Sequence, residues 1–293
     1  MTHPAPADRM IGTAHGLRLH VRDWRPAAAV GEPVICLPGL ARPLEDFTEL
    51  AERLSSAEGG SRRVVAISAR GRGQSDRDPD ASRYDVKVEA ADVLSVMDAL
   101  SIPHGAVVGT SRGGIQAMAL AAMRPGAVRA LVLNDVGPVI DLRGLIRIRG
   151  YLGSTGAPAN WTEATNLSRQ MFADRFPALG DADFERLARR TWRESGDALE
   201  PNYDRALVNA FAGLDLERPV PPLWALFDAV AGAPTMVIRG ERSDILSAAS
   251  VAEMARRRPG LRIVEVPGQG HAPLLADRPT QDAIAAFLGA ASV

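Results

Sequence analysis

The chain has 293 residues, enough to bury a substantial core in one large α/β domain or two smaller ones. Apolar residues make up 46% and charged residues 24%, and the net charge of −1 speaks against a nucleic-acid partner or attachment to an anionic membrane. The single cysteine, Cys36, excludes an internal disulfide and a thiolate metal cluster. No apolar run approaches the roughly 20 residues that span a bilayer, and the first residues carry no apolar signal segment. A cytoplasmic globular protein is the expectation, with monomer and homodimer both left open.

Residues 10–14 and 17–24 alternate apolar and polar about His15-Gly16, which predicts an antiparallel hairpin after a loose opening tail. Pro33-Val34-Ile35-Cys36-Leu37 is a continuous apolar run, the pattern of a strand buried on both faces, and it ends in Pro38-Gly39-Leu40. Helical spacing follows over 44–54. A second buried strand, Val64-Val65-Ala66-Ile67, runs into the loop Arg70-Gly71-Arg72-Gly73-Gln74-Ser75-Asp76. A helix is predicted over 86–100 with Asp85 as its N-cap. Ala106-Val107-Val108 then leads into Gly109-Thr110-Ser111-Arg112-Gly113, an alanine-rich helix to Met123, and a stop at Pro125-Gly126. The next strand, Ala130-Leu131-Val132-Leu133, ends at Asn134-Asp135.

Up to this point the order is β-α repeated, the mark of a parallel sheet with helices on both faces. From 139 to 231 the pattern is helical with no convincing strand. Helices are expected over 142–152, 163–172, 183–194 and 203–211, and one over 223–230 returns the chain to the sheet. The β-α series resumes at 235–238, 248–257, 261–266 and 281–288. This divides the chain into a first core segment (1–138), a helical cap over the strand ends (139–222) and a second core segment (223–293).

Gly109-Thr110-Ser111-Arg112-Gly113 fits G-x-S-x-G between a strand and a helix, the setting of a nucleophile elbow. A serine on so tight a turn takes a strained backbone conformation, and side chains on either flank would strike neighbouring backbone. The helix behind it offers unpaired N–H groups and partial positive charge. In open α/β sheets ligands bind beyond the carboxyl ends of the strands, so the strand-end residues form one candidate set. Strand 235–238 runs into Arg239-Gly240-Glu241-Arg242-Ser243-Asp244, and the last strand runs into Pro267-Gly268-Gln269-Gly270-His271. Of the five histidines, His271 alone follows a late core strand in a glycine-flanked loop. The resulting order is Ser111 as nucleophile, Asp244 as acid and His271 as general base, with Asp135 the alternative acid.

These motifs together resemble the capped α/β-hydrolase-fold serine hydrolases, a group of esterases, lactonases and carbon–carbon bond hydrolases, over nearly the whole chain outside the cap. The resemblance implies a mostly parallel eight-stranded sheet with the cap inserted after the sixth strand. It also implies an oxyanion hole from the backbone N–H groups of Leu40 and Arg112. Two departures stand out. Pro38-Gly39 replaces the usual His-Gly, which removes the hydrogen bond that histidine would use to order the loop. Ser68 replaces the leading aspartate of D-x-R-G-x-G-x-S, in a loop read as a structural turn because it lacks the third glycine and lysine of a phosphate cradle.

Within the cap, the aromatic residues are read mainly as its own small core. Arg147, Trp192 and Trp224 are the candidates for contact with substrate, Arg147 through a substrate carboxylate. No histidine or carboxylate cluster has metal-ligand spacing, and the reaction needs no cofactor. The expected function is hydrolysis of an ester-like bond in a small, largely apolar molecule. Carbon–carbon hydrolysis of a ring-cleavage product, a cofactor-free lyase and a non-catalytic ligand receptor are the alternatives on the same fold.

Overall fold

The computed structural model describes residues 5–154, 156–211 and 218–291. The elements in chain order are β1 (Ala7–Gly12), β2 (Arg18–Trp24), β3 (Val34–Leu37), α1 (Thr48–Ser55), β4 (Val64–Ile67), α2 (Val86–Ala99), β5 (Gly105–Thr110), α3 (Arg112–Met123) and β6 (Val128–Asn134). An insert follows, with α4 (Leu142–Ser154), α5 (Trp161–Phe172), α6 (Asp181–Thr191), β7 (Trp192–Ser195), β8 (Ala198–Pro201) and a 3-10 helix, Arg205–Phe211. The chain returns through α7 (Trp224–Asp228), β9 (Thr235–Gly240), α8 (Ala248–Arg257), β10 (Arg262–Val266) and α9 (Arg278–Ala290).

Eight strands form one sheet in the order β1-β2-β4-β3-β5-β6-β9-β10. β1 pairs antiparallel with β2 and β2 antiparallel with β4, while β4, β3, β5, β6, β9 and β10 run parallel. The continuous apolar runs are strands covered on both faces. Ile35, Leu37, Val107, Leu131 and Leu133 pack on one side with α2, α3, α7 and α8. Val34, Cys36, Val108, Ala130 and Val132 pack on the other with α1 and α9. Alternation along each strand assigns successive side chains to opposite layers. Asp85 caps α2 by accepting hydrogen bonds from the Lys87 and Val88 N–H groups, at 2.8 and 3.4 Å.

The strand order reverses between β3 and β5: from β3 the chain goes outward to β4, then returns to the opposite side for β5. A crevice therefore opens at the carboxyl ends of these two strands, where Pro38-Gly39-Leu40 and Ser111 lie.

The insert departs from an all-helical reading. The helical stripe Phe184, Ala188, Trp192 predicts a helix to 194, yet α6 stops at Thr191 and Trp192–Ser195 pairs antiparallel with Ala198–Pro201. Gly196, at φ 61°, makes the turn between them. Trp192 packs with Ala164, Ala188 and Leu199, and its spacing of four from Ala188 continues the helical stripe, so the apolar spacing alone does not mark the change. The opening tail also contributes more than expected: β1 begins at Ala7, and Asp8 pairs with Arg22 and His20. The insert is seated on the loop after β9, where the Asp141 N–H donates to the Ile245 carbonyl at 2.9 Å and the Gly144 N–H to the Asp244 carbonyl at 3.0 Å. A side chain at Gly144 would overlap Ile245.

Candidate active site

β5 delivers Ser111 at φ 52° and ψ −117°, immediately ahead of α3. That region costs on the order of 1–3 kcal/mol for a residue with a side chain, and the surroundings hold it there. The Ser111 N–H donates to the Asn134 carbonyl at 2.9 Å, and its carbonyl accepts from the Gly114 N–H at 2.9 Å. The flanking glycines are required by contact. A Cβ on Gly109 would lie 2.5 Å from the Gly113 backbone, and one on Gly113 would overlap the Leu37 carbonyl.

The loop after β10 brings His271 over this serine. Its Nε2 is 2.9 Å from Ser111 Oγ, and its Nδ1 is 2.8 Å from Asp135 Oδ2. An ionised carboxylate only accepts, which assigns the proton to Nδ1 and leaves Nε2 to accept from the serine hydroxyl. Asp135 is fully buried at the end of β6. Its Oδ1 accepts from the Gly240 N–H at 2.9 Å, and its Oδ2 also accepts from Ser243 Oγ at 2.6 Å. The Asp135 N–H donates to the Ile238 carbonyl at 2.7 Å, and its φ is 56°.

The imidazole is thus paired with Asp135, the alternative acid, and not with Asp244. Asp244 does follow β9, but its carboxylate faces the insert. Arg147 holds both oxygens, Nε to Oδ2 at 2.6 Å and Nη2 to Oδ1 at 2.8 Å, and Arg175 Nε reaches Oδ2 at 3.3 Å. Burial pushes the Asp244 carboxyl upward, but hydrogen bonds and charge from Arg147, with the charge of Arg175, hold it below the ordinary aspartate range. Ser243 is the residue of that loop that turns toward the histidine, through Asp135. Arg147 is accordingly engaged by Asp244, and it is not among the residues that line the cavity beside Ser111.

Leu40 and Arg112, the two residues expected to supply donors, both lie close to Ser111, Arg112 next in sequence and Leu40 in the wall of the same cavity. Arg112 is the first residue of α3, so its N–H has no intrahelical acceptor. Among the described residues the Leu40 N–H is paired with no acceptor, and Leu40 borders the same cavity as Ser111. That cavity holds about 120 Å³ and includes His271 in its wall. The insert contributes Ile148, Met171, Phe172, Phe176, Leu187 and Trp192 to its apolar lining, and the core adds Leu274 and Leu275. Trp192, one of the candidates for substrate contact, is in that lining. Trp224 is not: it lies outside the lining, against Phe227 at 6.1 Å and beneath Arg257 at 3.8 Å.

A polar end was missed from sequence. Arg42 holds Asp46 through two hydrogen bonds of 2.7 and 2.8 Å and reaches Thr191 Oγ1 at 2.6 Å. Arg190 is paired with Glu49 at 2.6 Å. The i,i+4 spacing of Arg42 and Asp46, just beyond the end of β3, was the available signal. The glycine loop after β4 has the structural part expected of it: Arg70 is buried between Asp92, at 2.7 Å, and Asp78. Ser68 accepts from the Leu44 N–H at 2.9 Å. Among the described residues, no helix is long and apolar enough to cross a membrane. No cluster of three or more His, Cys, Asp or Glu side chains is arranged to hold a metal ion.

A doubly flanked sheet with a strained serine at its switch point defines an α/β-hydrolase. A family model of the alpha/beta hydrolase fold matches residues 32–277, and the chain belongs to that family of enzymes. It is 34% identical over 267 residues to the 3-hydroxybutyrate-oligomer hydrolase of Cupriavidus necator, covering 86% of each chain. It is 29% identical over 209 residues to the 2-(acetamidomethylene)succinate hydrolase of Mesorhizobium japonicum, covering 71% of each. The crystal structure of an alpha/beta hydrolase from Novosphingobium aromaticivorans superposes with a TM-score of 0.89 at 37% identity, over 98% of this chain and 99% of the other.

Proposed function

We propose that this hydrolase is a serine esterase that cleaves a carboxylic ester-like bond of a small, largely apolar substrate through an acyl-enzyme. The observation that carries the reading is the continuous relay from Asp135 through His271 to Ser111 at the wall of an apolar cavity. In the forward step His271 Nε2 takes the Ser111 proton as Oγ attacks the carbonyl carbon, and Asp135 stabilises the imidazolium that forms. The N–H groups of Leu40 and Arg112 receive the negative charge that develops on the carbonyl oxygen. Collapse expels the alcohol, which takes the proton from His271. Water, deprotonated by the same imidazole, then releases the acid and restores Ser111. Residues 139–222 act as the cap that shapes the acyl pocket and limits water.

The pocket's chemistry suits a short acyl chain bearing at most a hydroxyl or ester oxygen. At its polar end Arg42 is already neutralised by Asp46, and Thr191 offers an oxygen beside them. Similarity to an enzyme named for 3-hydroxybutyrate oligomers is in keeping with such a hydroxyacyl ester. A carbon–carbon hydrolase of a carboxylated ring-cleavage product would be served by an arginine free to pair with the substrate. Arg42, Arg147 and Arg190 are each held by a protein carboxylate, which favours the ester. Ser111→Ala tests the reading directly. Turnover of short-chain aryl esters is expected to fall by about 10⁴-fold or more, with loss of labelling by a fluorophosphonate probe. Retained turnover or labelling would exclude Ser111 as the nucleophile.

A further inference from the structure

The loop that carries Leu40 has little with which to hold itself. Pro38 lacks an N–H, Gly39 lacks a side chain, and Leu40 and Ala41 are apolar. Among the described residues, one side-chain hydrogen bond reaches the backbone of residues 38–41: Arg72 Nε donates to the Leu40 carbonyl at 2.6 Å. That bond fixes the peptide unit after Leu40 and, through it, the direction of the N–H before it.

Arg72 is itself fastened on several sides. Its Nη1 donates to Glu89 Oε1 at 2.6 Å and to the Arg70 carbonyl at 2.5 Å, and its guanidinium lies 5.7 Å from the centre of the Tyr84 ring. The backbone around it is tied to the insert, with the Gly73 N–H donating to the Asn202 carbonyl at 2.9 Å and the Asp204 N–H to the Gly71 carbonyl at 2.7 Å. Glu89 is fully buried, and its other oxygen accepts from Arg112 Nε and Gln116 Nε2, both at 2.7 Å. One carboxylate thus holds the side chain of Arg112 and the arginine that grips Leu40, and Arg112 and Leu40 are the two residues proposed above to supply N–H donors to the oxyanion. The group Glu89, Arg72 and Arg112 carries one net positive charge on the side where an oxyanion would form.

We propose that Arg72 is a positioning residue that orders the Leu40 half of the oxyanion hole, with Glu89 coupling it to the Arg112 half. This rests on the serine-esterase reading above. The loop, which has no polar side chain of its own over residues 38–41, is braced by an arginine from the turn after β4, and that turn is braced by the insert. The arrangement makes the oxyanion hole depend on a seated insert.

The test uses the full chain, a short-chain aryl ester and the matching thionoester. Sulfur accepts hydrogen bonds poorly, so the rate ratio between the two substrates reports on the donors that face the oxyanion. In Arg72→Met, kcat for the ester should fall about 10- to 100-fold with KM little changed, less than the 10²–10³-fold typical of deleting a donor outright. The thionoester rate should fall far less, so the ratio collapses. Should Arg72→Met fail to fold, Arg72→Lys carries the same measurement, since it keeps the charge beside Glu89 and loses the Nε–H. An unchanged ratio, with both rates lowered together or neither lowered, would overturn the proposal. Wild-type chain that turns over neither substrate and takes no fluorophosphonate label would remove the esterase reading, and this inference with it.

Discussion

The ends of β6 and β9 each present an aspartate near the imidazole loop, and the two have opposite surroundings. Asp135 is enclosed by neutral donors: the Gly240 N–H, the Ser243 hydroxyl and His271 Nδ1. Asp244 sits between two guanidinium groups, Arg147 and Arg175. Neutral donors satisfy the lone pairs of a carboxylate without cancelling its charge, which suits Asp135 to the stabilisation of an imidazolium proposed above. Arginines satisfy and cancel together, which turns Asp244 into a fastening between the insert and the core. What each carboxylate can do is decided by its donors and not by its strand.

The largest effect that would break this contrast is at Asp135. In Asp135→Asn the amide can present an N–H to His271 Nδ1, which favours the tautomer with its proton on Nε2, unable to accept from Ser111. An equivalent replacement in a serine protease lowers kcat about 10⁴-fold, and a loss of that order is expected here in ester hydrolysis. If Asp244→Asn lost more activity than Asp135→Asn, the roles assigned to the two strand ends would be reversed.

Ser243→Ala sharpens the same contrast at smaller scale. It removes the 2.6 Å hydroxyl bond to Asp135 Oδ2 and leaves the bond to His271 in place. A hydrogen bond to a charged group is worth about 1.5–3 kcal/mol, so kcat should fall roughly 10- to 100-fold, read at saturating ester. The hydroxyl also accepts from the N–H groups of Ile245 and Leu246, so a lower melting temperature should accompany the loss.

What could be read from the amino-acid sequence follows the range of the interactions concerned. The elbow was legible because its glycines answer to contacts within the turn and with the neighbouring strand: Gly109 against Gly113, and Gly113 against Leu37. The parallel strands were legible because burial on both faces requires an unbroken apolar run such as Val34 to Leu37. His271 stood out by its place after the last strand. Choosing between Asp135 and Asp244 was a different problem, because the deciding partners lie far away in sequence. Arg147 and Arg175 come from the insert, and nothing local to Asp244 announces them. The β7–β8 hairpin was hidden for a related reason, since Trp192 fits the helical stripe before it. The polar end of the cavity depends on Thr191 reaching Arg42 across 149 positions.

The smallest expected effect concerns Asp244 itself, and it separates fastening from catalysis. Asp244→Asn leaves the relay through Asp135 untouched, but exposes His271 to two arginines without their carboxylate. The added positive charge opposes the imidazolium, and at partly solvated separations kcat should fall by about fivefold at most. Stability should show the larger change. The pair is neither exposed nor fully buried, with side chains of Arg147 and Asp244 at 17% and 19% exposure, so a loss of about 1–3 kcal/mol is expected. The pH dependence has a definite sign. The folded carboxyl is held below the ordinary aspartate value of 3.8, so its contribution is fully present above that value and is lost as pH falls through the lower, folded one. In urea unfolding, the stability gap between wild type and Asp244→Asn should therefore stay constant from pH 7 down to about 5, and shrink below about pH 4. A gap that widened as the solution was made acidic would show that Asp244 is not held ionised by its arginines, and the contrast with Asp135 would lose its electrostatic basis.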